Sequence, residues 1–173
     1  LQSQDELHRA RTLFERAMAI FEAQLGMAHP RTVHILGNLG ELLINLGDLD
    51  QARSLLQSAL ALYESTADPP PGAVATVLTH LGRVSADQGD IDRALALHRR
   101  ALALRETLLG PGHSITAWSL TNVGAMLQRQ GDLNRARALQ EQALALYEAS
   151  VGPDHPYTAI ALANLGAVLH EQG

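Results

Sequence analysis

Gly47-Asp48, Gly89-Asp90 and Gly131-Asp132 stand 42 residues apart in a chain of 173 residues, and Gly173 falls on the next point of the same grid. Other columns keep that register without insertion or deletion: Leu39-Gly40, Leu81-Gly82, Val123-Gly124 and Leu165-Gly166, then Ala17, Ala59, Ala101 and Ala143. An unbroken period of this length describes one supersecondary unit stacked on copies of itself, with its core between neighbours and not at one centre.

The unit is legible between residues 30 and 67. Val33, Leu36, Leu39, Leu43 and Leu46 recur at the spacing of an amphipathic helix, here helix A, which opens at Pro30 and stops at Gly47. Leu49, Ala52, Leu55, Leu56, Ala59, Leu62 and Tyr63 repeat the pattern as helix B. Gly47-Asp48 is then a tight turn, with Gly in the left-handed conformation that ends one helix and Asp capping the next. Hydrophobic residues make up 46% of the chain and aromatics only 3%, so the core is Leu and Ala, which favour helix over strand. The fold class expected is all-α, a solenoid of antiparallel helix pairs. The grid divides the chain, read as one elongated array, into an orphan helix B (1–28), three repeats (29–70, 71–112, 113–154) and an orphan helix A (155–173). Helices are expected at about 6–25, in pairs over 30–67, 72–109 and 114–151, and at about 156–172.

Gly in the middle of a helix costs about 1 kcal/mol relative to Ala, so Gly40, Gly82, Gly124 and Gly166 imply a close approach of helix B, with Ala52, Ala94 and Ala136 as the matching flat surface. Because the pattern starts and stops in mid-repeat, the chain reads as a fragment of a longer protein. Its end helices should leave Leu162, Leu165 and Leu169 uncovered on one side and Leu7, Phe14 and Met18 on the other, and end-to-end self-association through those faces is expected.

A net charge of −5 offers no general attraction to phosphate backbones or anionic membranes, which excludes nucleic acid and membrane as partners. There is no Cys, which fits a cytoplasmic location, and all thirteen basic residues are Arg, a bias that suggests a bacterial genome. His29, His113 and His155 occupy one column, a whole repeat apart, too far to share a metal ion; they read as loop residues ahead of helix A. Glu22, Glu64, Glu106 and Glu148 give one carboxylate per repeat and no paired acid and base. No nucleophile stands beside a base and no glycine loop cradles phosphate, so neither an enzyme, a cofactor nor a metal is expected.

The large-residue, Leu-Gly, large-residue, Ala-bulky-Ala signature, carried here by Leu36, Leu39-Gly40, Leu43, Ala52, Leu56 and Ala59, resembles the tetratricopeptide repeat family. The longer period, with Val-Gly-Pro-x-His-Pro-x-Thr at 151–158 and Leu-Gly-Pro-Gly-His at 109–113, resembles its kinesin-light-chain type. The resemblance covers essentially the whole chain and implies a right-handed superhelix with helices A lining a concave groove that holds a peptide or protein segment. Similar arrays in bacterial signalling ATPases give the alternative: a regulatory or sensor segment of a larger ATPase or transcriptional regulator.

Residues at offsets 0, 4, 7 and 11 on helix A form one stripe opposite the Leu face. The stripe reads His34, Asn38, Glu41 and Asn45, then Thr76, His80, Arg83 and Asp87, then Trp118, Asn122 and Arg129, then Ile160 and Asn164, and these are the expected partner-binding residues. The resemblance places the usual contact at Asn38, His80, Asn122 and Asn164. Short amides there could bond an extended backbone or could bond a neighbouring helix. Trp118 on this stripe reads either as an anchor for a partner or as filler of a wider helix gap.

Overall fold

The computed structural model describes residues 2–173, with side chains from residue 5 onward. Among the described residues the backbone forms eight α-helices and no strand: α1 (Gln2–Leu25), α2 (Pro30–Asn45), α3 (Leu49–Glu64), α4 (Pro71–Asp87), α5 (Ile91–Leu109), α6 (Ser114–Arg129), α7 (Leu133–Ser150) and α8 (Pro156–Gln172). They gather into two compact units, one running up to Gln88 and the other Gly89–Gly173. In the first, α2 packs on α1, α3 and α4, and α3 packs on α4; in the second, α6 packs on α5, α7 and α8, and α7 packs on α8. The buried residues are the columns of the period: Leu36, Leu39, Leu43, Ala52, Leu56, Ala59 and Tyr63 in the first unit, and Val123, Leu127, Ala136, Ala143, Tyr147 and Ala161 in the second.

The turn glycines Gly47, Gly89 and Gly131 hold φ near +80 to +85°, where a side chain would strain the backbone. Asp90 and Asp132 then cap the following helix, accepting from the N–H of Arg93 at 3.1 Å and Arg135 at 3.2 Å. Asp48 does not cap as expected. Its carboxylate instead receives Arg11 at 3.1 Å, an ion pair that ties α1 to the α2–α3 turn.

The Gly-x-x-His-x-x-Thr junction proves to be a structural cassette. Gly26, Gly110 and Gly152 take positive φ, and their carbonyls accept from the buried hydroxyls of Thr32, Thr116 and Thr158 at 2.8, 2.9 and 2.7 Å. His29, His113 and His155 cap α2, α6 and α8: each Nδ1 accepts from the N–H two residues on, at 3.2, 3.1 and 3.2 Å. The α3–α4 junction has no such cassette, since Val74 stands where the Thr belongs and α4 opens instead on Pro71. Replacing the capping ring, His155→Ala, is expected to cost about 1 kcal/mol in urea denaturation, the usual worth of an N-cap side chain. A loss below about 0.3 kcal/mol would mean that the ring does not cap α8.

The Leu-Gly column is not uniform. A Cβ on Gly40 would lie 3.4 Å from Leu56, an ordinary contact, whereas one on Gly124 would come within 2.7 Å of Gln140 Nε2 and 3.5 Å of the Ala136 carbonyl; one on Gly166 would meet nothing within 4 Å. An added Cβ is therefore crowded at Gly124, where the Gln140 amide would have to move, and tolerated at Gly40. The end faces also differ in part from expectation. Leu162 and Leu169 are exposed and Leu165 half-buried, as are Leu7 and Phe14, but Met18 is buried where α1 packs on α2.

Candidate functional site

In the first unit, α2 and α4 lie side by side and leave an open pocket of about 510 Å³ between their N-terminal halves. Five stripe residues line it: His34, Asn38, Glu41, Thr76 and His80. The helical period aims them there, because positions three and four apart share a face. The rest of the lining is mainly apolar, with Pro30, Val33, Pro70 and Ala73. The pocket owes its depth to Gly37, where a Cβ would sit 3.3 Å from His80 Nε2 and 3.8 Å from Thr76 Cγ2. Gly37 was not among the expected residues. The signal was present, since its column holds Thr79, Thr121 and Ala163 elsewhere, so Gly stands there once.

The polar groups are partly committed. Asn38 Nδ2 lies 3.3 Å from His34 Nε2. With His34 carrying its proton on Nδ1, Asn38 donates one N–H to the ring and keeps its carbonyl and second N–H for another group. Thr76 returns its hydroxyl to the Gly72 carbonyl at 2.9 Å, which leaves mainly its methyl to the pocket. Beyond the pocket, Arg83 donates to Asn45 at 2.8 Å and pairs with Glu41 at 3.5 Å and Asp87 at 4.0 Å. Arg83 thus ties α4 to Asn45 and Glu41 on α2, while its pair with Asp87 lies within α4, and their exposure keeps each ion pair worth less than about 1 kcal/mol.

In the second unit the stripe is apolar at its start. Trp118 on α6 and Ile160 on α8 are 41% and 52% exposed, and the unexpected neighbours Ile115 and Tyr157, one helical turn earlier, are 44% and 51% exposed. Asn122 and Asn164 are half-buried and Arg129 is exposed. The Trp118 ring lies over the Arg105 guanidinium, whose carbon is 5.0 Å from the ring centroid, a cation–π arrangement that holds the indole on the surface. Arg105 occupies the column of Tyr63 and Tyr147; it is buried and donates to Ser119 Oγ at 2.7 Å. Burial lowers its pKa to about 10, and lowers that of buried His98, one face along α5, to about 4 with help from the Arg105 charge. The column's tyrosines are anchors: Tyr63 donates to the Met27 carbonyl at 2.9 Å, and Tyr147 packs against Tyr157 and Ala161.

The tetratricopeptide repeat family matches residues 1–65, 73–149 and 120–173. The chain is a tetratricopeptide-repeat protein. A search of curated protein sequences found no match. Among solved structures, this tetratricopeptide-repeat chain is similar to BtubC (BKLC) from P. vanneervenii, with 19% identity, a TM-score of 0.84, and coverage of 96% of this chain and 66% of that one. A Podosopora anserina protein of kinesin-light-chain type with nearly identical TPR-like repeats matches at 21% identity and TM-score 0.74 over 99% of this chain and 82% of its own. The apo form of RapI matches at 15% identity and TM-score 0.78, covering 98% and 59%. The chain thus spans about two thirds of BtubC or less of RapI, and at these identities the likeness is one of fold. Among the described residues, no helix is long and apolar enough to cross a membrane.

Proposed function

We propose that this tetratricopeptide-repeat protein is a non-catalytic interaction scaffold that holds a peptide or protein segment against the exposed faces of its A helices. The observation that carries this reading is the α2–α4 pocket, where five stripe residues converge around a gap that Gly37 keeps open. Its make-up suits a side chain with a polar edge: the lining combines apolar Pro30, Val33 and Ala73 with polar Asn38, His34 and His80. Burying a partner's apolar surface stabilises by about 25 cal/mol per Å², while Asn38 offers an acceptor and a donor that fit a peptide group and fix its register. In the second unit Trp118 and Ile160 supply a more apolar contact, with Asn122 and Asn164 beside them.

The test uses a peptide selected from a displayed random library against the wild-type chain. Gly37→Leu fills the pocket, and Asn38→Ala removes the amide; each is expected to weaken that peptide at least about tenfold, the effect of losing about 1.4 kcal/mol, with helical circular dichroism unchanged. Peptides that bind both variants as tightly as the wild type would overturn the reading.

A further inference from the structure

Ile115 and Trp118 on α6 recur one period on as Tyr157 and Ile160 on α8, and all four are exposed. Ile115 and Trp118 stay so although α8 packs beside α6, so this face is open inside the array. Its two aromatic rings are backed by other side chains. The Trp118 indole lies over the Arg105 guanidinium, with 5.0 Å from carbon to ring centroid, and the Tyr157 ring stands 5.7 Å from Tyr147 and 4.9 Å from His155. Neither the indole N–H nor the Tyr157 hydroxyl has a hydrogen-bond partner among the described residues. The face is also positive at its base: Arg105 bonds to Ser119 Oγ and to no carboxylate among the described residues, and its charge is felt at His98.

We propose that this face binds a proline-rich segment of a partner protein in the polyproline II conformation, with an acidic residue beside its prolines, laid across α6 and α8. The inference rests on the scaffold role proposed above and names the partner chemistry for the second unit. Packed helices stand about 8–10 Å apart, and a polyproline II chain returns to the same face every third residue, roughly 9 Å on. A β-strand comes back to one face after about 6.6 Å and falls out of step with the helices. Successive prolines therefore meet Trp118 on α6 and the Tyr157–Ile160 pair on α8, at little ordering cost because the segment is already extended. Polyproline II makes no internal hydrogen bonds, so its carbonyls are free to accept from the indole N–H and the Tyr157 hydroxyl. The Arg105 charge favours a carboxylate over an ammonium beside the indole.

The probes are labelled peptides of repeated Glu-Pro-Pro, Lys-Pro-Pro and Glu-Gly-Gly, read by fluorescence anisotropy. The emission of Trp118, the chain's one tryptophan, gives a second signal with unlabelled peptide. Glu-Pro-Pro is expected to bind and to shift that emission to the blue, while Lys-Pro-Pro and Glu-Gly-Gly bind at least about tenfold more weakly. Trp118→Ala and Tyr157→Ala each weaken Glu-Pro-Pro by at least about tenfold with helical circular dichroism retained. Should Tyr157→Ala lose helicity, Ile160→Ala takes its place. Glu-Gly-Gly binding as tightly as Glu-Pro-Pro would remove the polyproline II requirement, and Lys-Pro-Pro doing so would remove the acidic one. A Trp118→Ala protein that holds Glu-Pro-Pro like the wild type would move the site elsewhere. Each of these results overturns the proposal, as does a Glu-Pro-Pro peptide that does not bind. The library-selected peptide, run alongside, separates the two readings: if it binds and Glu-Pro-Pro does not, this inference alone falls, and if neither binds, the scaffold reading falls with it.

Discussion

Acidification from pH 6.5 to pH 4 is expected to cost this protein up to about 3 kcal/mol through His98 alone. The imidazole is buried in α5, and burial first, then the Arg105 charge, brings its pKa from 6.5 down to about 4. A depressed histidine is neutral in the folded chain while the unfolded chain already binds a proton. In that window the unfolded state therefore holds more protons, and stability rises with pH. The contribution is complete above about pH 6.5 and is lost as pH falls toward about 4, once the folded ring must also charge. His98→Leu supplies the control, because Leu56 fills the same column one repeat earlier. Urea denaturation at pH 7 and at pH 4.5 should give a smaller difference for the variant than for the wild type; equal differences would show that His98 is not the source.

Alanine at three positions of one column should have three different effects. In Gly124→Ala the new methyl comes within 2.7 Å of Gln140 Nε2 and 3.2 Å of its Cδ, so this fully buried side chain has to shift and strain its bond to the Thr121 carbonyl at 3.2 Å. Overpacking of this kind costs about 1–3 kcal/mol, more than the ~1 kcal/mol that Ala gains over Gly in a helix. Gly40→Ala meets Leu56 at ordinary contact distance and should be close to neutral. Gly166→Ala meets nothing and should gain up to about 1 kcal/mol. Chemical denaturation of the three variants ranks them, and a common loss at all three would return the column to a uniform packing role.

The periodic features were readable from the sequence because each is stated several times. Helices, turns and the buried Leu and Ala columns follow from apolar spacing and from glycines that the backbone needs at fixed points. What escaped is what occurs once. Gly37 opens the pocket, yet a lone Gly in a helix looks like a weak helix former until α4 is beside it. Asp48 has the sequence of a cap, but Arg11 takes its carboxylate from 37 residues away. Gln140 and His98 stand in the column of Leu56, and only packing shows that Gln140 fills the space over Gly124 and that His98 is neutralised by burial. Trp118 was visible as an exposed aromatic, while its support on Arg105 depends on two helices meeting.

The central claim, that partners are held on the A-helix faces, is tested most directly by mapping amide chemical shifts as the selected peptide is titrated into the labelled chain. The account predicts the largest changes at Gly37, Asn38 and His80, with further changes near Trp118 and Asn164, and silence at exposed B-helix positions such as Gln57, Arg99 and Glu141. Changes concentrated on those B-helix positions, with Gly37 and Asn38 unmoved, would contradict it.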